Sequence, residues 1–209
     1  MINKELQKRI LSSIILLPLA YYFISAGSFY LIFFSIICFF VSIYEWNKMV
    51  KKIELKVLGT LFLIFSFYTF YETTSTDLWI FVLFVCVSTD IGGYVFGKLF
   101  KGPKLTKISP KKTYTGVFGG YFLSIIFSYI LFNYSGLFTD QFFGEDEFIW
   151  VLIISTVSQA GDIIISYFKR LSKIKDTGKL IPGHGGILDR IDGMLFAFPF
   201  YFIFYLIFY

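Results

Sequence analysis

Residues 155–193 of the chain read STVSQAGDIIISYFKRLSKIKDTGKLIPGHGGILDRIDG. The stretch begins with an apolar helical segment that contains an aspartate, Asp162, and continues into a hinge rich in lysine and arginine. It ends with a glycine-flanked histidine, His184, and an Asp-Arg-x-Asp turn. An aspartate at the centre of a membrane helix costs about 2.5–3.5 kcal/mol on insertion scales, so it marks a functional site by default. The stretch therefore predicts a site where a membrane helix meets a basic loop.

The composition of the whole chain is that of a membrane protein. Hydrophobic residues make up 56% of the 209 residues and charged residues 16%, whereas soluble domains average about 45–50% and 25%. The two cysteines, Cys38 and Cys86, lie singly in apolar runs, which indicates packing rather than a disulfide framework or a zinc site. The predicted fold class is all-α, a polytopic integral membrane protein.

Seven apolar segments approach the roughly 20 residues that a transmembrane helix needs. The predicted spans are 10–26, 28–46, 57–71, 78–97, 113–133, 148–168 and 191–209. The third span is short, so an interfacial or re-entrant segment is an alternative there. The first resembles a signal peptide, although a retained helix is favoured. We expect one membrane-embedded domain, with scaffold helices in residues 1–84 and catalytic helices and loops in residues 85–209.

The distribution of basic residues predicts how these helices are oriented. All 19 Lys and Arg residues fall in the segments 1–9, 47–56, 98–112 and 169–190. Those segments lie on one side of the membrane, and the opposite turns hold acidic residues and no basic ones. Because cytoplasmic loops are enriched in Lys and Arg, we expect the N-terminus inside and the C-terminus outside. The net charge of +5 then reflects topology rather than nucleic-acid binding.

Two aspartates inside predicted spans indicate one polar cavity near the cytoplasmic face. Asp162 and Asp90 lie six and seven residues before the cytoplasmic ends of their spans, and so at nearly the same depth. Helical spacing puts on one face the side chains of Ser158, Asp162, Ser166 and Lys169. Close helix approach around the cavity is predicted from Gly92, Gly93, Gly116 and Gly120. The alternative for each aspartate is a structural ion pair with a snorkelling lysine.

A second pair of carboxylates precedes the last span. Asp189 and Asp192 are three residues apart with Arg190 between them, so both face the same way if the turn is helical. With Asp162 as a third oxygen ligand, they could hold a hard cation. The alternative is a helix N-terminus that merely favours acidic residues.

Two of the basic segments, 98–112 (the first basic loop) and 169–190 (the second basic loop), carry candidate phosphate-binding residues. Beside His184, glycines allow backbone N–H groups to approach an oxyanion, so this loop binds phosphate or only supports the site. In the loop 98–112, attraction to anionic lipid, worth about 1 kcal/mol per cation, accounts for Lys101 and Lys104. For Lys111 and Lys112, which lie beside a helix start, phosphate binding is an equal alternative.

One ordered set of residues runs through the second basic loop. It reads Ser166-x-x-Lys169-Arg170, then Lys175-Asp176, then Pro182-x-His184-Gly-Gly-Ile-x-Asp189-Arg190-Ile-Asp192. Together with Ser88-Thr-Asp90-x-Gly-Gly-Tyr94, Ser109-Pro-Lys111-Lys112-Thr113 and Ser158-Gln-x-Gly-Asp162, it resembles the phosphatidate cytidylyltransferases, or CDP-diacylglycerol synthases. The resemblance covers the chain from about residue 85 to its C-terminus. Two departures are Thr115, where the family has Glu, and a shorter N-terminal part.

The resemblance implies a reaction of CTP with phosphatidate that yields CDP-diacylglycerol and pyrophosphate, with Mg²⁺ as cofactor. The implied metal ligands are Asp162, Asp189 and Asp192. The implied catalytic residues are these three with Lys169, Arg170 and Arg190. The implied substrate-binding residues are Ser166, Lys175, Asp176, His184, Gly185, Gly186, Asp90, Lys111 and Lys112. The enzyme is expected in the inner (plasma) membrane, with its site facing the cytoplasm and phosphatidate in the cytoplasmic leaflet; a second cation and a homodimer are left open.

Three other functions compete with this one. A CTP-dependent lipid kinase shares the substrate and the membrane setting, but it transfers the γ-phosphoryl group. A CDP-alcohol phosphotransferase is disfavoured because its Asp-Gly-x-x-Ala-Arg element is missing. An ion-coupled transporter would explain Asp90 and Asp162 inside helices, but not the His-Gly-Gly loop before the Asp-Arg-x-Asp turn.

Overall fold

The computed structural model describes residues 22–23, 27–76, 78–138, 142–178, 180 and 185–208. Within these ranges the chain is helical and has no strand, although one isolated antiparallel bridge joins Lys104 to Thr113. The helices are α1 (Ser28–Met49), α2 (Ile53–Thr73), α3 (Leu78–Phe100), α4 (Tyr114–Tyr134), α5 (Glu145–Leu171), α6 (Leu188–Ile191) and α7 (Met194–Phe208). The predicted all-α class is confirmed for the described part of the chain.

Five helices, α1 to α5, are long and apolar enough to cross a membrane. Helix α7 is apolar, but its 15 residues fall short of the roughly 20 that a crossing needs. The first predicted span, 10–26, lies almost entirely outside the described residues. The chain is therefore a multi-pass membrane protein by the length and composition of its helices, and the count of seven spans stays a prediction.

Two of the predicted spans differ in their bounds from the helices in the structure. The short third span is the 21-residue helix α2, because the chain is already helical at Ile53. The last predicted span is divided into α6 and α7 by a turn at Asp192 and Gly193. The Asp192 carboxylate accepts a hydrogen bond from the Gly193 N–H at 3.0 Å. Such local side-chain bonds compete with a continuous helix.

The described residues form two compact units. The first contains those that precede Glu72, together with Phe168–Ile191. In it the Trp46 indole donates a hydrogen bond to the Leu55 carbonyl at 3.1 Å and lies edge-on to the Phe168 ring. Gly59 has no room for a side chain because the Trp46 indole covers it. This packing ties helix α1 to α2 and to the end of α5.

The second unit contains Glu72–Tyr167 and Asp192–Tyr209. Its helices α3 and α4 cross at glycines, where a Cβ on Gly92 would overlap the backbone of Gly119. A Cβ on Gly116 would come within 2.7 Å of the Gly93 carbonyl oxygen. Small residues permit this close approach, as the sequence predicts. Helix α5 joins the crossing through a hydrogen bond of 2.9 Å from the Thr89 hydroxyl to that of Ser155.

Candidate active site

Asp162 on helix α5 is paired with a lysine from the first basic loop. Its Oδ2 lies 2.6 Å from Nζ of Lys112, and both side chains are about one-quarter exposed (28% and 23%). The Ser166 hydroxyl donates to Asp162 Oδ1 at 3.2 Å, as the four-residue spacing predicts. Lys112 also donates to the Gln159 carbonyl at 3.3 Å. The structure thus selects Lys112 from the loop 98–112 as a partner of Asp162.

Backbone hydrogen bonds in the loop position Lys112. The Lys112 carbonyl accepts from the Leu105 N–H at 2.8 Å, and the Lys112 N–H donates to the Ser109 carbonyl at 3.0 Å. Thr113 then caps helix α4, because its hydroxyl accepts the Gly116 N–H at 3.1 Å. The backbone of Lys112 is therefore fixed directly before the N-cap of α4.

Thr115 completes the same turn. Its hydroxyl lies 3.0 Å from that of Thr113 and accepts the Gly102 N–H at 3.3 Å. The family that the sequence resembles has glutamate at this position. In this chain the side chain joins the end of α3 to the start of α4.

Asp189 in helix α6 is the acceptor at the centre of the second basic loop. Its Oδ1 accepts from Lys169 Nζ at 2.8 Å. Its Oδ2 accepts the Thr177 N–H at 2.7 Å and hydroxyl at 3.0 Å, and the Gly186 N–H at 3.0 Å. Burial raises the pKa of Asp189, but the bonds from Lys169, Gly186 and Thr177 outweigh it and leave the pKa below its ordinary value. Asp189 is therefore ionised at neutral pH.

Glu45 on helix α1 is a member of this cluster that the sequence reasoning missed. Its side chain is only 2% exposed. It accepts the Thr177 hydroxyl at 3.0 Å and the backbone N–H groups of Ile187 and Leu188 at 3.2 and 2.9 Å. The sequence does indicate Glu45 as a site residue, because it is a carboxylate near the end of a predicted span, like Asp90 and Asp162.

Asp192 lies beside the turn of α5 that precedes Asp162. A Cβ on Gly161 would lie 3.1 Å from the Asp192 carbonyl oxygen, and one on Gly193 would lie 3.0 Å from the Ser158 carbonyl oxygen. The Asp192 side chain is buried. The second unit therefore brings together the backbones that carry two of the three predicted metal ligands.

The remaining predicted site residues lie mostly on exposed surface. Exposed side chains are those of Asp90, Lys111, Arg170, Lys175, Asp176 and Arg190. Arg170 donates to the Ile174 carbonyl at 2.8 Å. Gly186 is buried, Gly185 has a φ of 87°, and His184 lies outside the described residues. Among the described residues, no group of three or more His, Cys, Asp or Glu side chains is placed to hold a metal ion.

A sequence model of the cytidylyltransferase family matches residues 52–208. The chain belongs to this family. The phosphatidate cytidylyltransferase of Rickettsia felis is 34% identical over 94% of this chain and 91% of its own length. That of Rickettsia typhi is 33% identical over 96% and 92%, and that of Staphylococcus epidermidis 39% over 64% and 52%. Both Lys–Asp pairs lie in the part of the chain that the family model matches, whereas Glu45 precedes it.

Proposed function

We propose that this membrane protein is a phosphatidate cytidylyltransferase, which makes CDP-diacylglycerol and pyrophosphate from CTP and phosphatidate. The match to relatives of that name over nearly the whole chain carries the proposal. The described geometry supports it, because two aspartates and two lysines stand in ordered ion pairs near helix ends. Such groups suit a reaction between two phosphate-bearing substrates.

In the proposed reaction a phosphate oxygen of phosphatidate attacks the α-phosphorus of CTP. The new O–P bond forms while the bond from the α-phosphorus to the oxygen bridging the β-phosphorus breaks. Pyrophosphate leaves with that electron pair. The attacking phosphate is already largely deprotonated at neutral pH, so the chain need not supply a strong base. Its task is to bring two anions together and to stabilise negative charge.

Lysine and arginine side chains are proposed to stabilise that charge. A lysine ammonium has three N–H donors, so Lys112 and Lys169 can each bind a phosphate oxygen and keep their aspartate. Arg170 and Arg190 are exposed and carry guanidinium groups, which match phosphate geometry. The proposed contacts to substrate further include Ser166, Lys175, Asp176 and Asp90.

We propose that Asp162, Asp189 and Asp192 hold Mg²⁺ when the substrates are bound. Their donors fit the ion, because Mg²⁺ prefers carboxylate oxygens. Magnesium sites usually combine one or two carboxylates with substrate phosphates rather than an all-protein cage. Among the described residues these three carboxylates do not form one cluster, so the substrate phosphates would have to supply ligands that complete the site. Bound Mg²⁺ would supply charge neutralisation on the CTP phosphates.

The proposed placement in the membrane follows the basic residues. Seven spans, with the N-terminus inside, put the loops 98–112 and 169–190 on the cytoplasmic side of the plasma membrane. CTP would then arrive from the cytoplasm and phosphatidate from the inner leaflet.

Two labels on CTP test this function. Purified protein is incubated with phosphatidate, Mg²⁺ and CTP labelled at either the α- or the γ-phosphorus. We expect α-label in lipid and γ-label in pyrophosphate. Gamma-label in lipid would instead identify the CTP-dependent lipid kinase, and label in neither product would reject both functions.

A further inference from the structure

We infer that Glu45 is a positioning residue that fixes the orientation of Asp189 through Thr177 and the backbone of residues 186–188. The inference rests on the proposed function in one respect, namely that the Asp189 carboxylate acts in the reaction. It assigns helix α1 a defined part in the site, although Glu45 lies before the residues that the family model matches.

Among the described residues, the donors that bind the Glu45 carboxylate all belong to the second basic loop. One oxygen, Oε2, accepts the Thr177 hydroxyl at 3.0 Å and the Leu188 N–H at 2.9 Å, and Oε1 accepts the Ile187 N–H at 3.2 Å. Within the described residues no Lys or Arg side chain forms an ion pair with it. A buried carboxylate is costly unless it is hydrogen-bonded, so these bonds fix the loop to α1.

Thr177 joins Glu45 to Asp189. Its hydroxyl lies 3.0 Å from both Glu45 Oε2 and Asp189 Oδ2, so the two carboxylates share its single proton, and its N–H donates to the same Asp189 oxygen. Asp189 Oδ2 receives a further bond from the Gly186 N–H, which adjoins the two N–H groups bound to Glu45. The Asp189 carboxylate therefore has one oxygen held by the loop that Glu45 anchors, and the other directed at Lys169.

Two glycines allow the carboxylate of Glu45 to approach the loop this closely. A Cβ on Gly178 or on Gly186 would overlap the Glu45 carboxylate. The fit therefore depends on side-chain length as well as charge. An amide at this position would direct an NH₂ group toward donors, because Ile187, Leu188 and Thr177 all donate to the carboxylate.

The test compares Glu45→Gln with a matched control, Glu54→Gln, in which an exposed glutamate at the start of α2 loses its charge. Three measurements are made on the purified protein: steady-state kinetics that give kcat and KM for CTP, the midpoint of thermal unfolding, and amide hydrogen exchange of the segment 185–191. For Glu45→Gln we expect kcat to fall by about 10–100-fold, as for other residues that orient site ligands. We expect KM to change less than about twofold and exchange at 185–191 to accelerate. Glu54→Gln should match the unaltered protein in all three.

A second pair of variants keeps the test decisive if Glu45→Gln does not fold. Thr177→Val removes the shared hydroxyl at nearly constant volume, and Thr177→Ser restores it. We expect a loss of kcat in the valine variant that the serine variant largely reverses. Normal kcat in Glu45→Gln or in Thr177→Val would overturn the inference, as would lost activity with unchanged exchange at 185–191. If the unaltered protein fails to label lipid, the proposed function fails, while faster exchange in Glu45→Gln still reports the anchoring of the loop.

Discussion

At the scale of single residues, the burial of each Lys–Asp pair determines whether a substitution of its aspartate affects folding as well as catalysis. Asp162 is about one-quarter exposed, whereas the Asp189 side chain is 3% exposed. Removing one partner of a buried ion pair leaves an uncompensated charge, which costs far more than the loss of an exposed pair. Substitutions at Asp189 therefore affect folding as well as catalysis, and those at Asp162 mainly affect catalysis.

The aspartates are predicted to be essential for turnover. Asp162→Asn, Asp189→Asn and Asp192→Asn keep side-chain size but remove the charge of a magnesium ligand, so each should lower kcat by orders of magnitude. Lipid labelling across a range of Mg²⁺ concentrations checks this in protein shown to be folded by its thermal transition. Near-normal turnover of Asp192→Asn would remove that residue from the proposed metal site. Asp146→Asn, an exposed change at the opposite end of α5, is the control.

At the scale of elements, the two basic loops are predicted to respond differently to salt. Lys169→Ala and Arg190→Ala should reduce turnover at every ionic strength, because both side chains are proposed to contact the substrate phosphates directly. For Lys169 the pair with Asp189 is also buried, so salt screens it little. Lys101→Ala combined with Lys104→Ala should cost little, and the cost should vanish as salt rises. Turnover is measured on anionic vesicles in increasing NaCl. If the double variant were as inactive as Arg190→Ala, the CTP phosphates would have to be assigned to the loop 98–112.

The crossing of α3 and α4 offers a comparison between neighbouring glycines. Gly92→Ala places a Cβ on the backbone of Gly119, whereas the nearest atom to a Cβ on Gly93 is 3.7 Å away, which is ordinary contact. Both variants replace glycine with alanine in a helix and so gain the same helix propensity. The difference between their stabilities therefore measures the effect of steric crowding alone. We expect Gly92→Ala to be less stable than Gly93→Ala by about 1–3 kcal/mol, the usual cost of overpacking. Thermal unfolding in detergent measures it, and equal stability would contradict the close crossing.

At the scale of the whole molecule, the basic residues predict topology. A reporter fused after Tyr209 should lie outside the cell, and one inserted after Lys107 should lie in the cytoplasm. Accessibility of each reporter in intact cells measures both positions. A cytoplasmic signal at Tyr209 would rule out seven spans with the N-terminus inside.

Much of the protein follows from sequence because its determinants are local. Apolar runs predict helices, since a backbone in lipid must satisfy its own hydrogen bonds. Helical spacing predicts the contact of Ser166 with Asp162, and paired glycines predict the crossing of α3 and α4. The ordered residues from Ser166 to Asp192 are enough to indicate the family, which the comparisons confirm.

The partners of the carboxylates were decided only by the tertiary structure. Lys112 is fifty positions from Asp162, and Glu45 is more than 130 positions from Thr177. Helical periodicity relates residues a few positions apart, so it cannot choose among several lysines or bring a glutamate of α1 to a distant loop. Those choices depend on which helices pack together and on where glycines leave space. For that reason the aspartates could be predicted from sequence, whereas the groups that orient Asp189 could not.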